Sequence, residues 1–329
     1  MEQIYTPKQN YKVLVRCFTY NQSKYIEDAL NGFAMQKTDF PFICLVMDDC
    51  STDGEQEVIK AWIERECDME KAEYLEIELS NIILAPHKSN TNCTLAFYFL
   101  KQNLYGTGNK KMKMVYPWRE CCEYEAICEG DDYWIVPDKL EKQVDYLDKH
   151  NDYSMCFHNA YIHYEGKSND KLFAFLDSRE YLPQELIEKW LIPTASMLYR
   201  MKFASYVNDL NIDTKKIIFG DNLLKLVMLH YGKLFAFSDI MSVYRKHEGG
   251  AVFSISEIQH ERFYQQLRYS QIVFPEFSNY LKYPIGEKCF HLSLKTLRHL
   301  KLPKFCYWFF LSFYYSPRAF FDSLFKLFF

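Results

Sequence analysis

Across its first half the chain alternates short β-branched or aromatic runs with amphipathic stretches, which restricts it to a sheet built from β-α units. Val13 to Phe18 predicts the first strand. Ser23 is placed to cap a helix whose apolar residues Tyr25, Ile26, Ala29, Leu30, Phe33 and Ala34 share one face. Phe42 to Met47 predicts the next strand, ending in Asp48 and Asp49, and Glu55 to Glu66 the next helix. A third strand is expected within Tyr74 to Leu84. Asn92 to Asn103 reads as helical, and Gly106 to Lys113 as a polar, basic loop. Tyr124 to Cys128 predicts a core strand that runs into Glu129-Gly130-Asp131-Asp132. Pro137 then opens a helix with Leu140, Val144 and Leu147 on one side.

Tyr153 to Ala160, Ala195 to Tyr199 and Lys233 to Phe237 predict further strands. Asp221 to Tyr231 predicts a helix with Leu223, Leu224, Val227, Met228 and Tyr231 inward. Beyond about Phe253 the strand signals stop. The expected organisation is one α/β domain over residues 1–253 with a mostly parallel central sheet, then a helical, aromatic-rich extension over 254–329, with no internal repeats.

Composition narrows the function classes. A chain of 329 residues, 49% hydrophobic and 25% charged, is neither disordered nor collagenous. Its net charge of -4 argues against a general nucleic-acid binder, which needs a basic surplus to meet phosphates. Eleven cysteines, an odd number without a C-x-x-C pair, predict reduced thiols in a cytoplasmic protein, not a disulfide framework or a zinc site. The opening MEQIYTPKQNYK lacks the apolar stretch of a signal peptide, and the longest near-unbroken apolar run, Phe305 to Tyr315, is too short to span a bilayer.

Two acidic clusters end predicted strands, which is where ligands bind in open α/β sheets. Glu129, Asp131 and Asp132 are hard oxygen donors packed so tightly that they repel one another unless a divalent cation or water compensates. A solvated acidic turn is the alternative. In the second cluster, Ser51, Thr52 or Asp53 is expected to cap the following helix, which leaves Asp48 and Asp49 free to accept hydrogen bonds from a nucleobase N–H.

These runs resemble the nucleotide-sugar glycosyltransferases of family 2, which have the GT-A fold. The family's P-T-Y-N-like run is matched by Phe18-Thr19-Tyr20-Asn21, its D-D-x-S-T-D run by Asp48 to Asp53, and its metal-binding run by Glu129-Gly130-Asp131-Asp132 with Tyr133-Trp134 behind it. The likeness continues through Ile192 to Ser196, Gly220-Asp221-Asn222 and Tyr244 to Gly250. Phe18 stands for the usual Pro, Glu129 for the first Asp, and Gly106 to Glu123 is irregular where relatives carry a Gly-Lys-Tyr turn.

The resemblance implies that Thr19, Tyr20, Asn21, Asp48 and Asp49 hold the nucleoside. It implies that Asp131 and Asp132, with Glu129 and His247, hold Mg²⁺ or Mn²⁺, that Arg245 and Lys246 neutralise the diphosphate, and that Asp221 is the catalytic base of an inverting transfer. The partners implied are a nucleotide-sugar donor, most simply a UDP-sugar, and a glycan or lipid-linked acceptor of bacterial capsule, O-antigen or exopolysaccharide assembly.

Other classes fit less well. A dinucleotide oxidoreductase would need G-x-G-x-x-G after the first strand, and the only G-x-G, Gly106 to Gly108, follows the stretch that reads as helical. A nucleotidyltransferase would have no use for a base of the Asp221 type. A catalytically inactive scaffold subunit would not need intact acidic motifs. From Cys289 onward Lys295, Arg298, Lys301, Lys304, Arg318 and Lys326 face Asp322 alone, so the tail is expected to dock on an anionic membrane at the inner face of the cell membrane.

Overall fold

The computed structural model describes residues 5–107, 110–205, 210, 212–250 and 257–328. In chain order the elements begin with β1 (Tyr11–Thr19), α1 (Ile26–Ala34), β2 (Phe42–Asp48), α2 (Glu55–Glu66), β3 (Glu73–Glu76), β4 (Ser80–Pro86), β5 (Cys93–Leu100) and α3 (Lys110–Glu120). They continue with β6 (Cys122–Ile127), β7 (Tyr133–Trp134), α4 (Lys139–Lys149), β8 (Tyr153–Tyr164), β9 (Lys171–Leu172), β10 (Arg179–Tyr181) and α5 (Pro183–Glu188). The rest are β11 (Leu198–Arg200), α6 (Met201–Ser205), α7 (Gly220–Tyr231), β12 (Lys233–Lys246), α8 (Glu257–Val273), α9 (Ser278–Arg298), α10 (Leu302–Tyr315) and α11 (Pro317–Phe328).

These elements form two compact units. The first comprises Met1–Glu180, Ile192–Phe203 and Gly232–Lys246, and the second Tyr181–Leu191, Ala204–Tyr231 and His247–Phe329. The expected domain boundary at residues 253 and 254 lies outside the described residues.

In the first unit the sheet runs β10-β12-β8-β11-β6-β1-β2-β5-β4-β3. Its centre is parallel: β1 pairs with β2 and β6, and β2 with β5. The pairings of β11 with β6 and of β4 with β5 are antiparallel. All seven residues of β2 are buried, the near-continuous apolar run of a parallel strand covered on both faces. Side chains of β1 alternate between two cores. Val13, Val15 and Cys17 meet α1, α2 and α4 through Leu30, Trp62 and Leu140, while Leu14 meets α3 through Val115 and Trp118.

Several elements depart from expectation. Asn92 to Asn103 is not helical: Cys93–Leu100 is a strand, with Val46 opposite Phe97. A short, continuously apolar run has no period to separate helix from buried strand, and its Thr94, Phe97, Tyr98 and Phe99 favour the pleated surface. The third strand expected within Tyr74 to Leu84 is a pair, β3 and β4. The basic loop yields at Lys110 to α3, which contains Pro117 and buries Trp118. Ser23 caps nothing; Tyr25 precedes α1 without a side-chain cap, and the Ser23 N–H donates to Asp53 Oδ2 at 3.0 Å. Before α2, Gly54 takes φ +90° at the capping position while Asp53 Oδ1 accepts from the Glu55 N–H at 3.1 Å. In α7 the fully buried residues are Lys225 to Leu229, so Leu223, Leu224 and Tyr231 are only half-buried.

Strand β12 slips along β8: Phe237 stands opposite His158, yet Ser242 stands opposite Ala160. Near it, α1 approaches β7 so closely that a Cβ on Gly32 would lie 2.9 Å from the Trp134 backbone nitrogen. Trp134 is further fixed by its indole N–H on the Ala195 carbonyl at 2.8 Å and by the buried Lys139 ammonium 4.0 Å from its ring centre.

In the second unit α9 is the central helix, touched by α5, α8, α10 and α11. Gly286 permits the close approach, because a Cβ there would meet Ser316 at 3.0 Å and Ala319 at 3.3 Å, and the Ser312 hydroxyl donates to the Gly286 carbonyl at 2.7 Å. Gln266 of α8 accepts from the N–H groups of Ile218 and Phe219 and so holds the entry to α7.

Candidate active site

Because β1 is hydrogen-bonded to both β2 and β6 in parallel, the loops that leave all three strands emerge on one edge of the sheet. Thr19 pairs with Asp48, the Asp49 N–H donates to the Thr19 carbonyl at 3.0 Å, and the Gly130 N–H to the Phe18 carbonyl at 3.2 Å. The three motifs of the sequence therefore lie side by side.

Glu55, the first residue of α2, is fully buried beneath them. Its carboxylate accepts the Thr19 hydroxyl, the Gln22 N–H at 2.8 Å and the Ser51 hydroxyl at 2.9 Å. Burial raises its pKa, and those three donors act against the rise. Asn21 has φ +53°, donates its N–H to Ser51 Oγ at 2.9 Å and accepts from the Thr52 N–H at 2.8 Å. A side chain on Gly130 would collide with Thr19 and Gln22, so only glycine lets the acidic loop cross here. Tyr20 is exposed.

Asp48 and Asp49 are both buried and both have protein donors. Asp48 accepts from the Ser51 N–H at 3.2 Å and from the Gln56 amide, closing its own turn. Asp49 accepts from the Leu104 N–H at 2.7 Å and forms an ion pair with Lys111 at 2.8 Å, while its carbonyl accepts from the Asn103 amide at 3.1 Å. It pins the segment between β5 and α3 to this edge.

In the acidic loop, Asp132 is buried and its Oδ1 accepts the Arg245 backbone N–H at 2.9 Å. Burial holds its carboxyl well above the usual range, with Asp131 and then Glu129 adding to the rise. The pairing of Val243 with Tyr133 brings Arg245 under the loop. The Arg245 guanidinium is buried, 2.7 Å from Asp28 and 3.2 Å from the Asp131 carbonyl, with the rings of Tyr25 and Tyr133 at 4.7 and 4.8 Å. Among the described residues no three His, Cys, Asp or Glu side chains converge as a metal cage. The donor set nevertheless fits a hard divalent cation, which takes one or two carboxylates and completes its shell with phosphate oxygens and water. The mutual repulsion registered at Asp132 is the charge that such a cation would relieve.

Asp221 and His247 belong to the second unit. Asp221 sits in the first turn of α7, partly accessible, and burial raises its pKa against the pull of the Asn222 N–H and of Lys225. Lys225, one turn on, is buried, donates to the Leu186 carbonyl at 2.8 Å, and is lowered by burial to about 8. His247 is buried.

Sequence reasoning missed Glu55, Asp28, Lys111 and Lys225. Glu55 carried a signal: with Ile59, Trp62 and Ile63 it occupies the i, i+4, i+7, i+8 stripe that α2 buries, and a carboxylate on an apolar stripe needs donors.

Residues 17–77, from within β1 through β3, match the family model Glycosyl transferase family 2. Over 233 residues, 70% of this chain, the sequence is 33% identical to uncharacterized proteins Mb1547 of Mycobacterium bovis and Rv1520 of Mycobacterium tuberculosis, and spans 58% of their length. Among solved structures, S. aureus TarS 1–349 in complex with UDP-GlcNAc aligns with a TM-score of 0.61 at 18% identity, covering 95% of this chain and 83% of that one. Another S. aureus TarS structure aligns at 0.56 and 18% identity over 85% of this chain and 43% of its own. The fold is GT-A, and residues 17–77 carry the family 2 glycosyltransferase match.

Proposed function

We propose that this protein transfers one sugar from a nucleoside diphosphate donor to a hydroxyl of a glycan or lipid-linked acceptor, with inversion at the anomeric carbon. The observation that carries the reading is the shared edge of β1, β2 and β6, where the residues matched to family 2 meet the acidic loop. Catalysis is assigned to residues 1–253 and the remainder to an extension.

In this reading Thr19, Tyr20, Asn21, Asp48 and Asp49 form the nucleoside side of the site. Of these, Asp48 and Asp49 act by shaping backbone as much as by direct contact, given the donors they already hold. Asp131 and Asp132, with Glu129, would hold Mg²⁺ or Mn²⁺, which offsets the charge that builds on the departing diphosphate. Arg245 stiffens the loop that carries Asp131 and adds positive charge near the diphosphate. Asp221 takes the proton of the acceptor hydroxyl as that oxygen bonds to the anomeric carbon and the bond to the diphosphate oxygen breaks.

UDP-GlcNAc is the first donor to test, since a solved structural neighbour binds it. The pathway is capsule, O-antigen or exopolysaccharide assembly, with no nucleic-acid partner. A panel of nucleotide sugars, assayed for metal-dependent release of the nucleoside diphosphate, tests the assignment. Turnover of one donor supports it; neither binding nor turnover of any donor overturns it in favour of a scaffold.

A further inference from the structure

Helix α10 presents an unusual outer side. Leu302, Tyr307, Phe310, Phe313 and Tyr314 are all exposed, Phe310 at 70% and Tyr314 at 78%, whereas Trp308 and Ser312 are buried on the opposite side. At 100° per residue the exposed set covers one face, and no charged residue interrupts it. Soluble helices normally show the reverse pattern.

The face continues onto α11. Phe321 and Phe325, one turn apart, are both exposed, and the ring centres of Phe313 and Phe321 lie 6.1 Å apart, so the two helices share one apolar surface. Leu300, in the turn between α9 and α10, has φ +56° and is 83% exposed. A leucine held in the left-handed region with its side chain in water costs free energy twice over, through backbone strain and apolar hydration.

Around this surface stand exposed cations: Arg298, Lys301, Lys304, Arg318 and Lys326, against Asp322 as the one acidic residue from Cys289 onward. Three of them have acidic neighbours within the unit, Lys304 with Glu261 at 3.6 Å, Arg318 with Glu188 at 3.0 Å and Lys326 with Glu287 at 3.2 Å. The cationic side chains of these pairs are more than half exposed, and the pairs of Lys304 and Lys326, whose carboxylates are also accessible, are weak enough to exchange for lipid phosphates.

We propose that the face formed by α10 and α11 is a docking surface for an anionic lipid bilayer, lying in the plane of the interface with its aromatic side chains among the headgroups and its basic rim on lipid phosphates. No helix among the described residues is long and apolar enough to cross a membrane, so in-plane seating is the geometry left to a bilayer contact through these helices. A second copy of the chain is the poorer occupant, because a two-fold contact through this face would bring two basic rims together. The inference does not depend on the transferase reading.

Flotation of the full chain with vesicles tests it. The protein should float with phosphatidylglycerol–phosphatidylcholine vesicles and remain behind with phosphatidylcholine alone, and added salt should release it. Phe310→Ser with Phe321→Ser, both at exposed positions, should cut the bound fraction about tenfold while the circular dichroism melt stays in place. If that variant unfolds, the salt and lipid dependence of the unmodified chain decides alone. Absence of flotation with anionic vesicles overturns the proposal. So does light scattering that shows a dimer dispersed by the same substitutions in a chain that ignores vesicles. Donor hydrolysis measured without vesicles reports separately on the transferase reading.

Discussion

The carboxylate of Glu55 accepts the hydroxyl of Thr19, two residues that are 36 positions apart in sequence, and fastens the end of β1 to the start of α2. With the Gln22 N–H and the Ser51 hydroxyl on the same carboxylate, one buried group organises the loops that follow both β1 and β2. Glu55→Ala should destabilise the protein by about 1–3 kcal/mol, the cost of stranding buried donors, and Glu55→Gln by less, since it keeps an acceptor. Urea unfolding checks both.

The same residue predicts a pH dependence. Its folded pKa is raised by burial, so the folded state binds the proton more tightly than the unfolded chain. The stability it contributes is complete below the unfolded value and is lost as pH rises through the raised folded value. Glu55→Gln should flatten that slope in stability measured from acid toward neutral pH; an unchanged slope would assign it to another group.

Gly130→Ala should be more costly than a glycine substitution in an ordinary turn, because the added methyl group meets the Thr19 and Gln22 side chains. Overpacking of this kind costs about 1–3 kcal/mol. Thermal unfolding gives the loss, and donor titration should weaken with it if the proposed site is right, since the methyl group displaces the acidic loop and the loop after β1.

Asp221→Asn should leave donor affinity intact and lower transfer about 10²–10⁴-fold, the contribution of a general base. Near-normal transfer would remove Asp221 from that role. A base acts only when deprotonated, and burial raises this carboxyl, so turnover should fall as pH drops through a value above the ordinary carboxylate range. Lys225 opposes the rise. Lys225→Met should therefore move the acid limb of the pH profile to higher pH.

Asp131→Asn combined with Asp132→Asn should abolish metal-dependent donor binding, while the amide at position 132 still accepts the Arg245 N–H. Calorimetric titration of the donor with and without Mn²⁺ separates the two effects. Full activity of the unmodified enzyme in EDTA would contradict the assignment.

What was legible in the sequence follows from distance along the chain. Strands β1, β2 and β6 and helices α2 and α4 were found where apolar period and flanking residues agree, and the motif residues at their ends came with them. Strand β5 was not, because eight consecutive largely apolar residues carry no period. The partners inside the site were the least visible. Lys111 meets Asp49 across 62 positions and Asp28 meets Arg245 across 217, and no local spacing encodes such encounters. The resemblance implied only a diphosphate-neutralising role for Arg245; its ion pair with Asp28 and its two aromatic neighbours emerge only from the sheet.

The slip of β12 along β8 has a consequence for that arginine. Between Phe237 and Ser242 the strand advances five residues while β8 advances from His158 to Ala160, so three residues of β12 have no counterpart. Had the register of Phe237 with His158 persisted, Ser242 would stand opposite His163, the station that Arg245 holds. A neutral hydroxyl would then lie beneath the acidic loop, and Asp28 would face no guanidinium. The irregular stretch thus acts as a frame-shift in space, and a slip that takes up even one of its extra residues would bring Tyr244 opposite His163 and exchange the cation under Asp131 for a neutral neighbour.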